Sequence, residues 1–294
     1  MEAAATELPW LPPGRAVELP GRGRTFVREL GERRPGEPTL VLLHGWMVTA
    51  DLNWFPSYAP LAEAGHHVIA FDHHGHGRGL RNTERFSIAG CADDAAAVAR
   101  ALGLERVVPV GYSMGGLVAQ LMWRRHRDLV RGLVLCATSR NFRGTVGDRV
   151  YFGGLTGIAA ATRRAPGPLR EQAFARLLAR RLETLDLTPW GAAEIARHDF
   201  RALMEAGASM GAFSSHRWIA EVDVPTAVVV TTADGKVPPL RQTKLASSIP
   251  GCEVFEADGD HHVCSRQPDQ FVPALLAACA SVRNRCRSGP RSAG

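Results

Sequence analysis

The stretch "VVPVGYSMGGLVAQLMW" (residues 107–123) decides the fold. It begins as a continuous apolar run, which is typical of a parallel strand buried on both faces. It ends in a helical pattern, and the pentapeptide "GYSMG" (111–115) lies between the two. A chain that passes from strand to helix in so tight a turn holds the central serine at a strained backbone angle. Glycine suits positions 111 and 115, where a side chain would collide with neighbouring backbone. We therefore predict that Ser113 is a nucleophile at the carboxyl end of a strand.

Similar strands alternate with helical patterns along the rest of the chain. The strand-like runs are 39–45, 66–72, 106–113, 132–138, 226–232 and 252–258, and the helical patterns are 87–102, 114–126, 239–249 and 268–281. A hairpin is predicted around Gly21 and Gly23. Strands that alternate with helices form a parallel sheet covered on both faces. The fold class is therefore α/β, with a mostly parallel sheet of about eight strands.

One long interval breaks this alternation. Almost ninety residues separate the strand that ends near Thr138 from the strand that begins near Thr226. This is too long for a plain crossover, and helical patterns fill it. In "EQAFARLLARRLETL" (171–185) the apolar residues that share one helix face are Phe174, Leu177, Leu178 and Leu182. We predict a helical lid inserted over the sheet.

Two loops offer partners for the serine, whose hydroxyl becomes a good nucleophile only when a base takes its proton. "EADGDHHVCSRQPDQF" (256–271) follows the last strand and provides two candidate bases, His261 and His262. "TTADGKVPP" (231–239) follows the preceding strand and provides an acid, Asp234. Asp258 and Asp260 are rival acids, but a carboxylate on the histidine's own loop rarely reaches the far side of its ring. Serine, acid and histidine would all lie at strand carboxyl ends, where catalytic groups of open α/β sheets collect.

The stretch "FDHHGHGRG" (71–79) packs three histidines, His73, His74 and His76, into four positions. Imidazole is a common metal ligand, so a metal site is one interpretation. Metal ligands, however, converge from separate points with carboxylates or thiolates in support. The side chains of adjacent histidines leave the backbone in different directions, and Asp72 is the only acid in the stretch. We therefore predict a structural loop and no metal.

These segments together resemble the α/β-hydrolase fold superfamily over almost the whole chain, and the pattern is similar to that of hydrolases typical of actinobacteria. "LLHGW" (42–46) resembles the family's HG oxyanion loop, "GYSMGG" (111–116) its nucleophile elbow and "TTADGKVPP" its acid turn. "FDHHGHGRG" resembles the D-x-R-G-x-G-x-S loop, although His74 stands where arginine is usual and Gly79 where serine is usual. The ending "DHHVCSRQPDQF" (260–271) resembles G-H-x-x-x-x-x-x-P-x-x-F, with Asp260 in place of glycine.

The resemblance implies roles for particular residues. In the family's ending the catalytic histidine stands seven residues before the proline, and counting back from Pro268 selects His261. The catalytic triad is then Ser113, Asp234 and His261. The backbone N–H groups of Met114, which follows the nucleophile, and of Trp46, which follows the HG pair, are the implied oxyanion-hole donors. We expect a hydrolase core over 1–139 and 216–282, a helical lid over 140–215 and a basic flexible tail over 283–294.

The expected activity is that of a serine hydrolase, of carboxylic-ester hydrolase type, that cleaves an ester, lactone or related carbonyl substrate through an acyl-enzyme. A serine nucleophile excludes the mechanisms of haloalkane dehalogenases and epoxide hydrolases, enzymes that resemble this fold but use an aspartate nucleophile. Two alternatives stay open: a cofactor-free perhydrolase or C–C bond hydrolase with the same triad, and a non-catalytic ligand receptor on this fold. The candidate substrate-binding residues are Tyr112, Trp54, Phe142 and Trp218.

The composition limits the classes of molecule with which the protein is expected to interact. The net charge is +6, but the basic residues are scattered except near the C-terminus, so we expect no nucleic-acid partner. No apolar run approaches the ~18 residues that cross a bilayer, and the first twenty residues do not form a signal peptide. The six cysteines form no CxxC pair and are typical of buried thiols in a reducing compartment. We expect a cytoplasmic protein that needs no cofactor and acts on a small molecule. The sequence is compatible with a homodimer.

Overall fold

The computed structural model describes residues 8–185 and 188–287. Within them an eight-stranded sheet runs through the chain in the spatial order β1-β2-β4-β3-β5-β6-β7-β8. The strands are β1 (Gly14–Leu19), β2 (Gly23–Leu30), β3 (Thr39–Leu43), β4 (Val68–Phe71), β5 (Val107–Tyr112), β6 (Leu133–Cys136), β7 (Thr226–Thr231) and β8 (Glu253–Ala257). The predicted fold class, a mostly parallel eight-stranded α/β sheet, is confirmed.

Strand directions follow the predicted pattern. β1 and β2 form the antiparallel hairpin, in whose turn Gly21 and Gly23 have φ values of 73° and 104°. β2 is also antiparallel to β4, whereas β4, β3, β5, β6, β7 and β8 are parallel to one another. The six parallel strands therefore end at one common edge, and the loops that carry Ser113, Asp234 and His261 all leave from it.

Helices cover both faces of the sheet. They are α1 (Ala50–Trp54), α2 (Tyr58–Glu63), α3 (Ile88–Ala101), α4 (Met114–Arg125), α5 (Val146–Arg164), α6 (Gly167–Leu185), α7 (Pro189–Ala196), α8 (Phe200–Ala212), α9 (Pro239–Ala246), α10 (Val263–Arg266) and α11 (Pro268–Arg287), with a 3₁₀ helix over Ile219–Glu221. Successive residues of β3 alternate between two apolar clusters. Val41 and Leu43 pack with α3, α4 and α9, whereas Leu40 and Leu42 pack with α1, α2 and α11.

Four helices, α5 to α8, lie between β6 and β7, in the interval for which the sequence predicts a lid. The two ends of this segment meet, because Asn141 and Ser214 form an antiparallel bridge. Phe174 of the predicted apolar face packs against Phe200, with ring centroids 6.0 Å apart. The side chains of Leu177, Leu178 and Leu182 lie outside the described residues. The segment thus leaves the sheet and returns to it at one place.

The C-terminal helix is longer than predicted. Residues 283–287, assigned to a flexible tail, continue α11, and only 288–294 lie outside the described residues. The arginines of this segment, which the sequence predicts to be solvent-exposed, make contacts that hold the last turn of α11 in place. Arg283 donates to the Ala64 and Gly65 carbonyl oxygens, Arg285 donates to those of Gly251 and Thr226, and Arg287 pairs with Glu37. The prediction was wrong because charge clustering in the sequence carries no information about such partners.

The described part of the chain contains no helix long and apolar enough to cross a membrane. All six cysteines are free thiols. Four of them are buried, in agreement with the sequence pattern, and Cys252 and Cys286 are half-buried.

Candidate active site

Ser113 lies in the tight turn between β5 and α4. Its backbone has φ 52° and ψ −113°, a strained conformation for a residue other than glycine. The flanking glycines permit the turn: a Cβ on Gly111 would lie 2.3 Å from the Gly115 carbonyl oxygen, and one on Gly115 would lie 2.0 Å from that of Leu43. Thr138 donates a 2.8 Å hydrogen bond to the Ser113 carbonyl oxygen and fixes the turn from the neighbouring strand side. The serine is therefore held rigidly at the sheet edge, as predicted from the sequence.

His261 lies between Ser113 and Asp234. Its Nε2 is 3.0 Å from Ser113 Oγ, and its Nδ1 is 2.6 Å from Asp234 Oδ2. The Tyr112 hydroxyl donates a 3.1 Å hydrogen bond to the His261 carbonyl oxygen, which ties the loop after β8 to β5. With Nδ1 protonated toward the carboxylate, Nε2 is left as an acceptor for the serine hydroxyl. This is the geometry in which an imidazole removes a proton from serine.

Asp234 is 3% exposed and is surrounded by donors. Besides His261, its Oδ2 accepts from the Thr231 hydroxyl at 2.8 Å, and its Oδ1 accepts from the backbone N–H groups of Lys236 and Val237, each at 2.8 Å. Burial opposes ionisation, but the hydrogen bond and charge of His261 and the remaining donors outweigh it. The pKa of Asp234 is therefore lowered from 3.8. The side chain is an anion that faces the imidazole.

The three rivals, His262 for the base and Asp258 and Asp260 for the acid, have other partners. The ring of His262 lies 6.1 Å from that of His261, and its backbone N–H donates to Asp260 Oδ1 at 2.7 Å. Asp258 accepts a 2.7 Å hydrogen bond from the Thr232 hydroxyl. Neither Asp258 nor Asp260 contacts His261 through a hydrogen bond among the described residues. The structure brings together the residues selected by counting back from Pro268.

The loop that precedes Trp46 lies beside the serine. A Cβ on Gly45 would lie 3.5 Å from Ser113 Cβ. Asn53 Oδ1 accepts from the Gly45 N–H at 2.9 Å, and His44 Nδ1 is 2.7 Å from the Gly45 carbonyl oxygen. The Trp46 indole N–H donates to the Leu203 carbonyl oxygen of α8 at 3.0 Å. The backbone from 44 to 46 is thus fixed by core side chains on one side and by the inserted helices on the other.

The sequence indicates that His44 is a structural histidine at the end of a strand and assigns no role to Asn53, and in the structure both orient this loop. His44 is fully buried, and its Nε2 accepts a 2.9 Å hydrogen bond from the His73 backbone N–H. Burial lowers the pKa of His44, so its imidazole is neutral and can accept at Nε2. Its position at the end of a buried strand was visible in the sequence, but its hydrogen-bond partners lie on other segments.

The histidine-rich stretch 71–79 is a braced loop. The Asp72 carboxylate accepts from the backbone N–H groups of Ala50 at 2.6 Å and Arg78 at 2.7 Å. His73, His74 and His76 are buried, and burial lowers the pKa of each, so the rings are neutral. Among residues 8–185 and 188–287, no group of three or more His, Cys, Asp or Glu side chains has the geometry to hold a metal ion.

An ion-pair network joins this loop to the inserted helices. Arg78 donates to Asp51 Oδ2 at 2.9 Å and to Glu194 Oε1 of α7 at 2.7 Å. Glu194 is 2% exposed and its other oxygen lies 3.3 Å from the Thr49 hydroxyl. Burial raises the pKa of Glu194, against the opposing charges of Arg78 and Arg197. This contact between α7 and the core was not predicted, because its members are more than a hundred residues apart in sequence.

Aromatic residues predicted to contact substrate have different positions. Trp54 is fully buried, packing against Tyr112 and Phe271 at 6.1 and 6.3 Å between ring centroids. Trp218 stacks on Trp123 at 6.1 Å, near the far end of α4 from Ser113. Trp54 is enclosed by core aromatic rings and the half-buried Trp218 packs on Trp123, so the described contacts of both rings are with core side chains, and a role in substrate binding stays a prediction. Tyr112 is 2% exposed and acts through its hydroxyl on the His261 loop.

Phe142 lies at the base of the inserted segment. It is 6% exposed and packs edge-on against Phe152 of α5, with ring centroids 6.3 Å apart. It joins the same apolar cluster as Met114 and Leu155. Phe142 therefore remains a candidate substrate-binding residue, placed between the inserted helices and the core.

Comparison with known proteins gives a consistent result. Residues 38–266 match the family model described as alpha/beta hydrolase fold. The chain is 28% identical over 256 residues to "Putative carbamate hydrolase RutD" of Azorhizobium caulinodans, a match that covers 84% of this chain and 93% of that protein. It is 34% identical over 111 residues to a bifunctional esterase/perhydrolase of Acinetobacter calcoaceticus, which covers 37% and 39% of the two chains. The crystal structure of a bromoperoxidase from Bacillus anthracis superposes with a TM-score of 0.75 at 16% identity, covering 91% of this chain and all of that one.

Proposed function

The chain belongs to the α/β-hydrolase fold family, and on that premise we propose that it is a serine hydrolase acting on a small or medium-sized ester, lactone or related carbonyl compound. The observation that supports the proposal most is the arrangement of Ser113, His261 and Asp234, in which His261 Nε2 is 3.0 Å from Ser113 Oγ and His261 Nδ1 is 2.6 Å from Asp234 Oδ2. The relatives named above as a carbamate hydrolase and an esterase/perhydrolase support acyl transfer as the reaction class.

In the proposed mechanism Ser113 Oγ attacks the substrate carbonyl carbon while His261 Nε2 takes the hydroxyl proton. The carbonyl π electrons move to oxygen and form a tetrahedral oxyanion. When this intermediate collapses, His261 returns the proton to the leaving alcohol and the acyl-enzyme remains. Water then enters, gives a proton to His261 and attacks the acyl carbon, and Ser113 leaves with the proton restored. Asp234 holds the Nδ1–H tautomer throughout and stabilises the imidazolium.

The oxyanion is stabilised by the backbone N–H groups of Met114 and Trp46. Met114 is the first residue of α4, so its N–H is free of intrahelical bonding and lies at the positive end of the helix dipole. Trp46 follows Gly45, whose backbone lies against Ser113. Removing one donor of this type typically costs about 3–4 kcal/mol in the barrier. The mechanism needs neither a metal nor an organic cofactor.

The inserted helices α5 to α8 act as the lid and set the substrate range. Trp46 contacts α8 and Phe142 contacts α5, so both residues lie where the lid meets the core. Apolar side chains at this boundary favour an uncharged acyl group. The triad contacts are complete with these helices in place.

A second candidate activity is perhydrolysis, in which hydrogen peroxide replaces water as the acyl acceptor and yields a peracid. The similarity to a bifunctional esterase/perhydrolase favours it. The chemistry up to the acyl-enzyme is the same, so the two activities are distinguished by comparing peracid and acid formation from one ester in the presence of peroxide. A purely ligand-binding role is disfavoured, because a receptor needs no aligned serine, imidazole and carboxylate.

Labelling with a fluorophosphonate probe tests the nucleophile directly. The wild-type protein should be labelled, Ser113→Ala should not, and Ser139→Ala should be labelled like wild type as a matched serine control. Ser139 is buried near the same edge and donates to the Asn141 carbonyl oxygen. Equal labelling of wild type and Ser113→Ala would refute the proposed nucleophile. Hydrolysis of a panel of p-nitrophenyl esters and lactones then selects the substrate class.

A further inference from the structure

A cleft of about 330 Å³ lies at the opposite edge of the sheet from Ser113. Three loops form its wall, and each directly precedes a parallel strand: 32–39 before β3, 65–67 before β4 and 103–106 before β5. Arg283 of α11 completes it. β5 connects the two regions, since Arg106 precedes it and Ser113 follows it, about 20 Å apart at the rise of a strand. A ligand in this cleft is therefore not the group that Ser113 attacks.

Charged side chains of both signs line the cleft. Its wall holds four arginines, Arg33, Arg34, Arg106 and Arg283, and three glutamates, Glu32, Glu37 and Glu105. Arg34 and Arg283 flank one backbone position, because a Cβ on Gly65 would lie 3.3 Å from Arg34 Nη1 and 3.8 Å from Arg283 Nη1. The ion pair of Arg34, with Glu32, is long at 3.8 Å and joins side chains that are 53% and 80% exposed. Such a pair contributes little, so Arg34 can turn toward a ligand.

Several buried polar atoms in this wall lack hydrogen-bond partners. Within the described residues they are His66 Nε2, Arg106 Nε, Arg283 Nε and Glu37 Oε2. Buried polar groups are nearly always paired, so four such atoms around one cleft require an explanation. The nitrogen atoms of the two arginines are obligatory donors, whereas the Glu37 oxygen is an acceptor. Glu37, Arg106 and Arg283 are half-buried side chains, so after a small rotation of each a ligand that accepts several hydrogen bonds and also carries a hydroxyl group would satisfy them.

The pKa of His66 is affected by the charges around the cleft. It is 2% exposed, and burial together with the positive charges of Arg283 and Arg287 lowers its pKa from 6.5 to about 4, against an opposing effect of Glu37. Besides burial, the charges of Arg283 and Arg287 thus disfavour the protonated form of His66. A bound anion would oppose these charges and raise the pKa of His66.

From these observations we propose that the cleft binds a phosphate group, either free phosphate or the phosphate of a small hydroxylated molecule such as a sugar phosphate. Arg34 and Arg106 bind the phosphate oxygens, since guanidinium groups match phosphate geometry with paired N–H donors. Arg283, already bonded to the Ala64 and Gly65 carbonyl oxygens, holds one wall of the cleft through Nη1. The volume exceeds that of a phosphate group and leaves space for a carrier whose hydroxyl donates to Glu37.

Calorimetric titration at constant ionic strength tests the proposal with inorganic phosphate, ribose 5-phosphate and ribose as probes. Wild type should bind one or both phosphate compounds and not ribose, and Ser113→Ala should bind them equally. Arg106→Gln and Arg34→Gln should each weaken binding at least about fivefold, the effect of losing one hydrogen bond to a charged group. Arg127→Gln is the matched control, because Arg127 is 45% exposed and pairs with Glu221 outside the cleft.

The two phosphate compounds give distinguishable results. Binding of ribose 5-phosphate alone would identify a sugar phosphate as the ligand, and binding of both would identify the phosphate group itself. Absence of binding by either phosphate compound, or equal weakening in Arg127→Gln, would overturn the proposal. If Arg106→Gln fails to fold, the exposed Arg34→Gln decides the matter. In the folded wild type the His66 ring resonances should titrate at higher pH with phosphate present, and an unchanged titration contradicts the site.

Discussion

Replacing Asp234 by asparagine is the sharpest perturbation of the proposed mechanism. Each atom that faces this carboxylate is a donor: the N–H groups of Lys236 and Val237 on one oxygen, and the Thr231 hydroxyl, the Gln242 side-chain amide and His261 on the other. An asparagine amide has one acceptor and one donor end. The two backbone N–H groups cannot turn away, so the amide oxygen faces them. The NH₂ end then faces His261.

An NH₂ group at that position requires an acceptor on the imidazole. His261 meets this by moving its proton from Nδ1 to Nε2, and the nitrogen that faces Ser113 becomes a donor. It can no longer take the serine proton. The wrong tautomer costs about 10⁴-fold in kcat in enzymes with this arrangement, or about 5 kcal/mol in the barrier. We expect a fall of that order in kcat, with little change in KM because the substrate contacts are untouched.

The assay is steady-state hydrolysis of a short-chain p-nitrophenyl ester by Asp234→Asn and two matched variants, Asp258→Asn and Asp260→Asn. Asp258 and Asp260 bond only to Thr232 and the His262 backbone among the described contacts, so their variants should stay within about threefold of wild type. His261→Ala should lose at least about 10³-fold, and His262→Ala should stay active. If Asp260→Asn and His262→Ala are inactive while Asp234→Asn keeps its activity, the assignment of base and acid is wrong.

Three further predictions concern the loop 71–79, the tryptophan at the lid boundary and a buried acid. Ester hydrolysis should survive strong chelators, because the neutral buried histidines of 71–79 brace a loop; activity lost on chelation and restored by zinc would contradict this. Trp46→Phe keeps an aromatic side chain and the backbone N–H but removes the indole hydrogen bond to Leu203, worth about 1 kcal/mol, so kcat/KM should fall about fivefold. An unchanged kcat/KM would show that the indole does not contribute to catalysis. Burial raises the pKa of Asp94 from 3.8 to about 6, although Arg22 opposes the shift. The protonated Asp94 carboxyl stabilises the fold below pH 3.8, and this contribution to the free energy of unfolding is lost as the pH rises through 6. The Tm of Asp94→Asn should therefore rise relative to that of wild type between pH 4 and 6 and then level off. A Tm difference that stays constant with pH contradicts the raised pKa of Asp94.

The parts of the fold that could be read from the sequence are those with a local physical signature. Buried parallel strands appear as unbroken apolar runs, and the serine turn needs glycine at two fixed positions. The short helices α1, α2 and α10 were missed because each spans less than two turns, too short for a helical period to show.

Side-chain partners that lie far apart along the chain could not be predicted. Arg78 and Glu194 form their pair across 116 positions, and nothing near either residue indicates the other. The sequence could not show the packing of Trp54 and Trp218 for the same reason, since a tryptophan side chain suits a pocket wall and a core equally well. The choice of His261 over His262 depended on family spacing, since both residues stand on the same loop.

The meeting of Asn141 with Ser214 has an evolutionary and engineering consequence. Residues paired in an antiparallel bridge have Cα atoms only about 5 Å apart, a gap that a tight turn can close. The length of the segment between these two positions therefore does not alter the distance that the chain must span between β6 and β7. Segments of different size and sequence can therefore be grafted there while strand registers and the triad loops stay unchanged. If these helices set the substrate range as proposed, chimeras joined at 141 and 214 will carry the substrate preference of the donor segment.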